Sequence, residues 1–161
     1  MSIERIPMSR EGYEKLKADL DRMQNIEMIE VTKRIATARA HGDLSENAEY
    51  HAAREDQGML QARIEALKDK MSRGFIVDRN NHLNSETVAF GMRVVVKDLD
   101  LEEEETFVLV GPGDEDYNNN KILTSSPIGQ GLMGKKRGEV VEIQVPMGKV
   151  RFEIRDISMP G

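Results

Sequence analysis

The sequence predicts an α+β protein whose helical first half is followed by a β-rich second half. Before residue 78, apolar residues recur mostly three and four positions apart, which is the period of an α-helix. After it, glycine and proline become frequent, and short runs rich in Val, Ile and Phe are typical of strands. Aromatic residues make up only 4% of the 161 residues, which favours a thin helical seam over a thick core. We therefore predict two domains, residues 1–78 and 79–161.

Composition excludes several classes of function. The chain has no cysteine, which excludes disulfides, zinc sites built on thiolates and cysteine nucleophiles. The net charge is -6 and neither half is basic, which argues against a general nucleic-acid binder held by phosphate neutralisation. No apolar run approaches the roughly 18 residues of a membrane-spanning helix, and the first residues lack a secretory apolar segment. We expect a soluble, cytoplasmic protein without a membrane partner.

The first helix is predicted to begin after Ser9, a residue type favoured at the N-cap. The apolar spacing of three or four residues is interrupted between Met23 and Met28, which are five residues apart. A small change of helical phase is therefore expected there. The seam positions are Leu16, Leu20, Met23, Met28, Val31, Ile35 and Ala38.

A second helix follows the break at His41, Gly42 and Asp43, and Ser45 is predicted to cap it. Two helices of similar length joined by a short turn form an antiparallel coiled-coil hairpin, here with arms of about 40 Å at 1.5 Å per residue. The apolar positions of the second helix are Ala48, Tyr50, Ala53, Leu60, Ile64, Leu67 and Met71.

The second half has the pattern of a small α+β domain. Ser126–Met133 is predicted to form one short helix with Pro127 at its first position. Strands are predicted at residues 87–90, 92–97, 105–110, 121–124, 139–145 and 150–157.

The hairpin tip, residues 39–50, has the most unusual chemistry of the chain. Asp43 and Glu46 are three residues apart at a helix start, which can bring both carboxylates to one side of the turn. Carboxylates suit Mg²⁺, but two of them complete a site only with ligands from a partner. Acidic residues at a helix start are also favoured by the helix dipole. Spacing alone favours this second, structural interpretation.

Residues 38–57, ARAHGDLSENAEYHAAREDQ, resemble the hairpin tip of the bacterial Gre family of transcript-cleavage factors. The resemblance covers nearly the whole chain. It extends to Ile6-Pro7-Met8, to Ala89-Phe90-Gly91 and to residues 126–135.

This resemblance implies a specific function. The family's hairpin enters the secondary channel of a backtracked RNA polymerase. Its two acidic tip residues correspond to Asp43 and Glu46, which would help to hold a Mg²⁺ ion and an attacking water at the polymerase active centre. The Mg²⁺ would be shared with the polymerase and absent from the free protein. The polymerase then cleaves its own RNA, so the chain would be a cofactor and not an enzyme.

The resemblance also assigns the neighbouring tip residues. Leu44 and Ser45 either contact polymerase elements or pack and cap the turn. Arg39 and Arg54 match a basic patch that contacts the extruded 3′ end of the nascent RNA. Three further residues that match the motif are assigned first to packing and hydrogen bonding of the tip: Asn47, Tyr50 and His51.

The second domain resembles the family's C-terminal domain, which has an FKBP-like fold and docks on a coiled coil at the rim of the channel. Ser126, Pro127 and Ile128 match the docking loop. Peptidyl-prolyl isomerase activity is not expected, because the domain has few rings to line such a site.

Other classes of function remain open from the sequence. The chain could be a non-cleaving regulator of the secondary channel, although regulators of that kind usually carry altered tip acids. A coiled-coil chaperone or adaptor would explain the helices but not the tip. We expect a monomer.

Overall fold

A computed structural model describes residues 4–42, 46–77 and 86–160. It confirms the α+β class. In chain order the elements are β1 (Ile6–Met8), α1 (Arg10–Arg22), a π-helical turn (Met23–Glu27), α2 (Met28–Arg39), α3 (Ala48–Ser72), β2 (Gly74–Ile76), β3 (Arg93–Asp98), β4 (Glu103–Val110), a 3₁₀ turn (Tyr117–Asn119), β5 (Lys121–Leu123), α4 (Pro127–Leu132), β6 (Val140–Val145) and β7 (Gly148–Ser158).

The chain divides into two compact units. One contains Glu14–Gly74, and the other combines Arg5–Tyr13 with the chain from Phe75 onward. The first strand explains this division, because β1 pairs with β2 and Ser9 donates a hydrogen bond to Asp114 in the second unit. The predicted boundary between residues 78 and 79 lies outside the described residues.

The first unit is an antiparallel helical hairpin. Its first helix, α1, begins among residues of the second unit, where Ser9 caps it as predicted: the Oγ of Ser9 accepts the N–H of Gly12 at 2.9 Å. The expected phase change is the π-helical turn, where the N–H of Met28 donates to the carbonyl of Met23. The predicted seam forms the core, whose buried members are Met23, Val31, Ile35, Ala53, Leu60 and Ile64.

The second unit contains a five-stranded sheet in the order β5-β4-β3-β7-β6. Only β4 and β5 are parallel among its neighbouring strands. Alternate residues of β3 point into the core, where Val94 and Val96 are fully buried. Leu132 of α4 is also fully buried and belongs to the same core.

The strand predicted at residues 87–90 is wrong. Thr87 makes a single bridge to Lys136, and Phe90 and Gly91 form a turn. Gly91 has a φ of +83°, which ends any extended run before β3 begins. The short strands β1 and β2 were not predicted, because three residues are too few for an alternating pattern.

No helix within residues 4–42, 46–77 or 86–160 is long and apolar enough to cross a membrane.

Candidate functional site at the hairpin tip

The helix α2 ends at Arg39 through a tightening of its last hydrogen bonds. His41 donates its N–H to the carbonyl of Ala38 at 3.1 Å, and Gly42 donates to Arg39 at 3.4 Å. Gly42 then adopts a φ of +123°, a conformation that only glycine reaches without strain, and no heavy atom lies within 4 Å of an added Cβ. The backbone, and not side-chain crowding, therefore requires glycine at this point of the turn.

Asn47 is the N-cap of α3, which corrects the predicted cap at Ser45. Its Oδ1 accepts the backbone N–H of Tyr50 at 3.0 Å, and its Nδ2 donates to the carbonyl oxygen of Ala38 at 2.7 Å. Asn47 is the cap because α3 begins at Ala48, later than predicted, and its amide satisfies one group of α3 and contacts one of α2. An Asx residue before a helical run is a signal for the cap. The hydrogen bond to Ala38 has no such signal in the sequence, because it depends on which helix end lies opposite Asn47 in the folded hairpin.

Glu46 immediately precedes this cap and is exposed to solvent. It lines a shallow open groove together with His41, Asn47, Ala48 and Glu49. The sequence did not single out Glu49, which stands in the first turn of α3 where the helix dipole favours an acidic side chain. Three predicted site residues, Asp43, Leu44 and Ser45, lie outside the described residues.

The predicted RNA-contacting arginines are both exposed and stand on different helices. Arg39 in α2 places its guanidinium carbon 5.8 Å from the centre of the Tyr50 ring, within range of a cation–π contact between the two helices. Arg54 in α3 lies 3.5 Å from the side-chain oxygen of Gln57, its neighbour on the same helix. His51 makes an edge contact with Tyr50, with the ring centres 5.6 Å apart.

The described part of the tip offers a carboxylate but no complete set of metal ligands. Among the described residues, no group of three or more His, Asp or Glu side chains is arranged to hold a metal ion. Glu46 offers a solvent-facing carboxylate, which is the class of ligand that Mg²⁺ prefers. A metal ion held there would need further ligands from outside this set of described residues.

The predicted docking residues belong to α4 of the second unit. Ser126 caps this helix, since its Oγ accepts the N–H of Gly129 at 3.1 Å and donates to the carbonyl of Leu123 at 2.7 Å. Pro127 occupies the first turn and is exposed, which confirms the predicted proline-started helix. Ile128 is half-buried against the core. A shallow groove beside these residues is lined by Ser125, Pro127, Gln130, Gly131, Glu142, Ile143 and Gln144.

Comparison with known families identifies the class of protein. A family model described as the N-terminal part of transcription elongation factors matches residues 6–76. A second, described as the C-terminal part of the transcription elongation factors GreA and GreB, matches residues 83–159. The chain has the fold and the sequence of a transcription elongation factor. It belongs to the GreA/GreB family.

Two relatives named GreA agree with this assignment over nearly their full length. Transcription elongation factor GreA of Thermodesulfovibrio yellowstonii is 52% identical over 96% of this chain and 98% of its own. The GreA factor of Desulfotalea psychrophila is 45% identical over 97% of this chain and 96% of its own. Among solved structures, GreA factor homolog 1 of Thermus thermophilus is 26% identical, covers 96% of this chain and 99% of its own, and has a TM-score of 0.44.

Proposed function

We propose that this protein binds RNA polymerase, inserts its helical hairpin into the secondary channel and stimulates cleavage of backtracked RNA by the polymerase itself. It would act as a monomer in the bacterial cytoplasm. Membership of the GreA/GreB family supports the polymerase as the partner. The observation that carries the proposal is the placement of Glu46, exposed and one residue before the cap that joins the two helices of the hairpin.

The acidic residues supply oxygen ligands in this proposal. Asp43 and Glu46 together would bring two carboxylates to an ion that the polymerase alone holds incompletely. When bound, this second Mg²⁺ would favour loss of a proton from the attacking water, while another metal ion at the polymerase active centre would stabilise the leaving oxygen. The free hairpin needs no tight metal site, because its carboxylates act only within the complex.

The remaining residues hold the RNA and the polymerase. Arg39 and Arg54 would contact phosphates of the extruded RNA 3′ end. Leu44 and Ser45 would contact the polymerase around its active centre, or order the turn. The docking surface is formed by the capped start of α4, that is Ser126, Pro127 and Ile128. Because affinity then comes mainly from the second unit, the chemistry of the tip can be altered without loss of binding.

A stalled, backtracked polymerase complex with end-labelled RNA tests the proposal. We expect Mg²⁺-dependent shortening of the RNA when the protein is added, and none when the protein meets free RNA. Asp43→Asn and Glu46→Gln should each abolish most of the stimulation while the variants still compete with the unaltered protein for polymerase. Glu55→Gln, on an exposed position of α3, is the matched control and should cleave normally.

Two outcomes would contradict this mechanism. Full cleavage by the double variant Asp43→Asn and Glu46→Gln would show that these carboxylates take no part in the cleavage reaction. Tight binding of the unaltered protein without any shortening of the RNA would instead establish the alternative function, a non-cleaving regulator of the secondary channel.

A further inference from the structure

The side chain of Asn47 joins the end of one helix to the beginning of the next. The residue is half-buried, and both ends of its amide group are used. Its Nδ2 donates to the carbonyl oxygen of Ala38 at 2.7 Å, and its Oδ1 accepts the N–H of Tyr50 at 3.0 Å. The Tyr50 N–H lies in the first turn of α3 and has no partner within its own helix. The Ala38 carbonyl, in the last turn of α2, gains a second donor from the same amide group.

This contact holds Asn47 against the last turn of α2 at Ala38. We call the hydrogen bond from Asn47 to the Ala38 carbonyl the clamp. Because Glu46 is bonded directly to Asn47, the clamp fixes the backbone next to the Glu46 carboxylate. The other end follows the last hydrogen bonds of α2, where the carbonyl of Ala38 also accepts the N–H of His41 at 3.1 Å. Ala38 is thus the common anchor of both sides of the turn.

We infer that Asn47 is a positioning residue for transcript cleavage. Its bond to Ala38 sets the direction in which the Glu46 carboxylate leaves the hairpin. This inference rests on the proposed function, since it concerns the reaction assigned there. A displacement of about 1 Å in a catalytic group is enough to slow a reaction strongly, so a fixed backbone next to Glu46 bears on rate more than on binding.

Two substitutions separate the clamp from the helix cap. Asn47→Ser keeps an oxygen that accepts the Tyr50 N–H, but its side chain is one bond shorter and has no second polar atom for Ala38. Asn47→Asp keeps the cap and places a carboxylate oxygen against the Ala38 carbonyl oxygen, where no hydrogen bond can form. Both variants retain a favoured N-cap residue, so α3 should still form.

The experiment compares the unaltered full-length protein with Asn47→Ser and Asn47→Asp in two measurements. In the free protein, the ¹⁵N order parameter of the Glu46 amide should fall in both variants, while the amide of Tyr50 stays protected from hydrogen exchange. With backtracked polymerase, the maximal cleavage rate should fall about fivefold, the equivalent of one hydrogen bond, with an unchanged half-saturating concentration. Ile64→Val is the matched control, because it weakens the hairpin core far along α3 from the tip.

Four outcomes would contradict the positioning role of Asn47 or the proposed function on which it rests. A maximal rate in both variants equal to that of the unaltered protein would overturn the inference. A loss of affinity equal to the loss of rate would also overturn it, since Asn47 would then serve docking. Loss of rate in Ile64→Val would make the effect one of general stability. Failure of the unaltered protein to stimulate cleavage would overturn the proposed function itself, which the other results leave standing.

Discussion

The backbone N–H of Met28 donates to the carbonyl oxygen of Met23, five residues earlier in the chain. This bond belongs to the π-helical turn that separates α1 from α2. In a regular α-helix, five residues rotate by about 500°, which would turn one of the two side chains well away from the seam. The wider π turn keeps both methionines on the core side, with Met23 buried and Met28 packed against the same cluster.

Removal of one residue from the π turn should therefore be tolerated. Deletion of Ile26, which is 54% exposed, leaves Met23 and Met28 four residues apart, as a regular α-helix requires. We expect unchanged helix content and a free energy of unfolding within about 1 kcal/mol of the original value. Circular dichroism and urea unfolding measure both quantities.

The matched deletion removes Glu65 from the regular helix α3. It shortens the spacing between Ile64 and Leu67 from three to two, and so turns the rest of the seam toward solvent. This variant should lose several kcal/mol of stability or fail to fold. Equal losses in the two deletions would show that the π turn does not absorb the extra residue.

Gly113 should tolerate no side chain, because two features of its surroundings act together. Its φ is +96°, and an added Cβ would lie 2.3 Å from the carbonyl oxygen of Gly12. We expect Gly113→Ala to cost more than about 2 kcal/mol of unfolding free energy. Gly138→Ala isolates the conformational part, since Gly138 has a φ of +89° and open space around it, and should cost only about 1 kcal/mol. Urea denaturation of both variants checks the difference, and similar costs would contradict the crowding at Gly12.

Loss of the α4 cap should weaken docking on polymerase. Ser126→Ala removes the acceptor for the Gly129 N–H and the donor to the Leu123 carbonyl, at a cost of about 1 kcal/mol in unfolding free energy. We expect a weaker affinity for polymerase, measured by competition with labelled protein, and an unchanged cleavage rate at saturation. An exposed residue of β4 offers a control, since Glu103→Gln should change neither quantity. Unaltered affinity in Ser126→Ala would argue against a docking role for this helix.

The two tip arginines should confer salt dependence on cleavage. If Arg39 and Arg54 each neutralise one phosphate of single-stranded RNA, each change to glutamine should flatten the plot of log cleavage efficiency against log salt by about 0.7. The control is Arg63→Gln, nine residues further along α3 and about 13 Å from Arg54, which should leave the slope unchanged. The slope is read from cleavage assays between low and physiological salt. Identical slopes for all three variants would exclude direct phosphate contacts.

The sequence was sufficient wherever a feature repeats along the chain. Apolar spacing predicted both arms of the hairpin and the change of phase at Met23, because a helical period repeats over many residues of the sequence. The cap at Ser9 was predicted, since it depends on a hydroxyl within three residues of the N–H it accepts. The cap at Ser126 is equally local but was not predicted. The long, specific motif at residues 38–57 pointed to the family by itself.

Tertiary structure decided the features that depend on distant partners. The strands β1 and β2 are three residues each and exist because they pair with one another, although some 65 residues separate them. The same pairing assigns Arg5–Tyr13 to the second unit. Asn47 caps α3 through a local bond, but its second bond forms only because the folded hairpin brings the Ala38 carbonyl within 2.7 Å of its amide. The sequence by itself determined which residues belong to the tip, and the meeting of two helix ends determined how that tip is held.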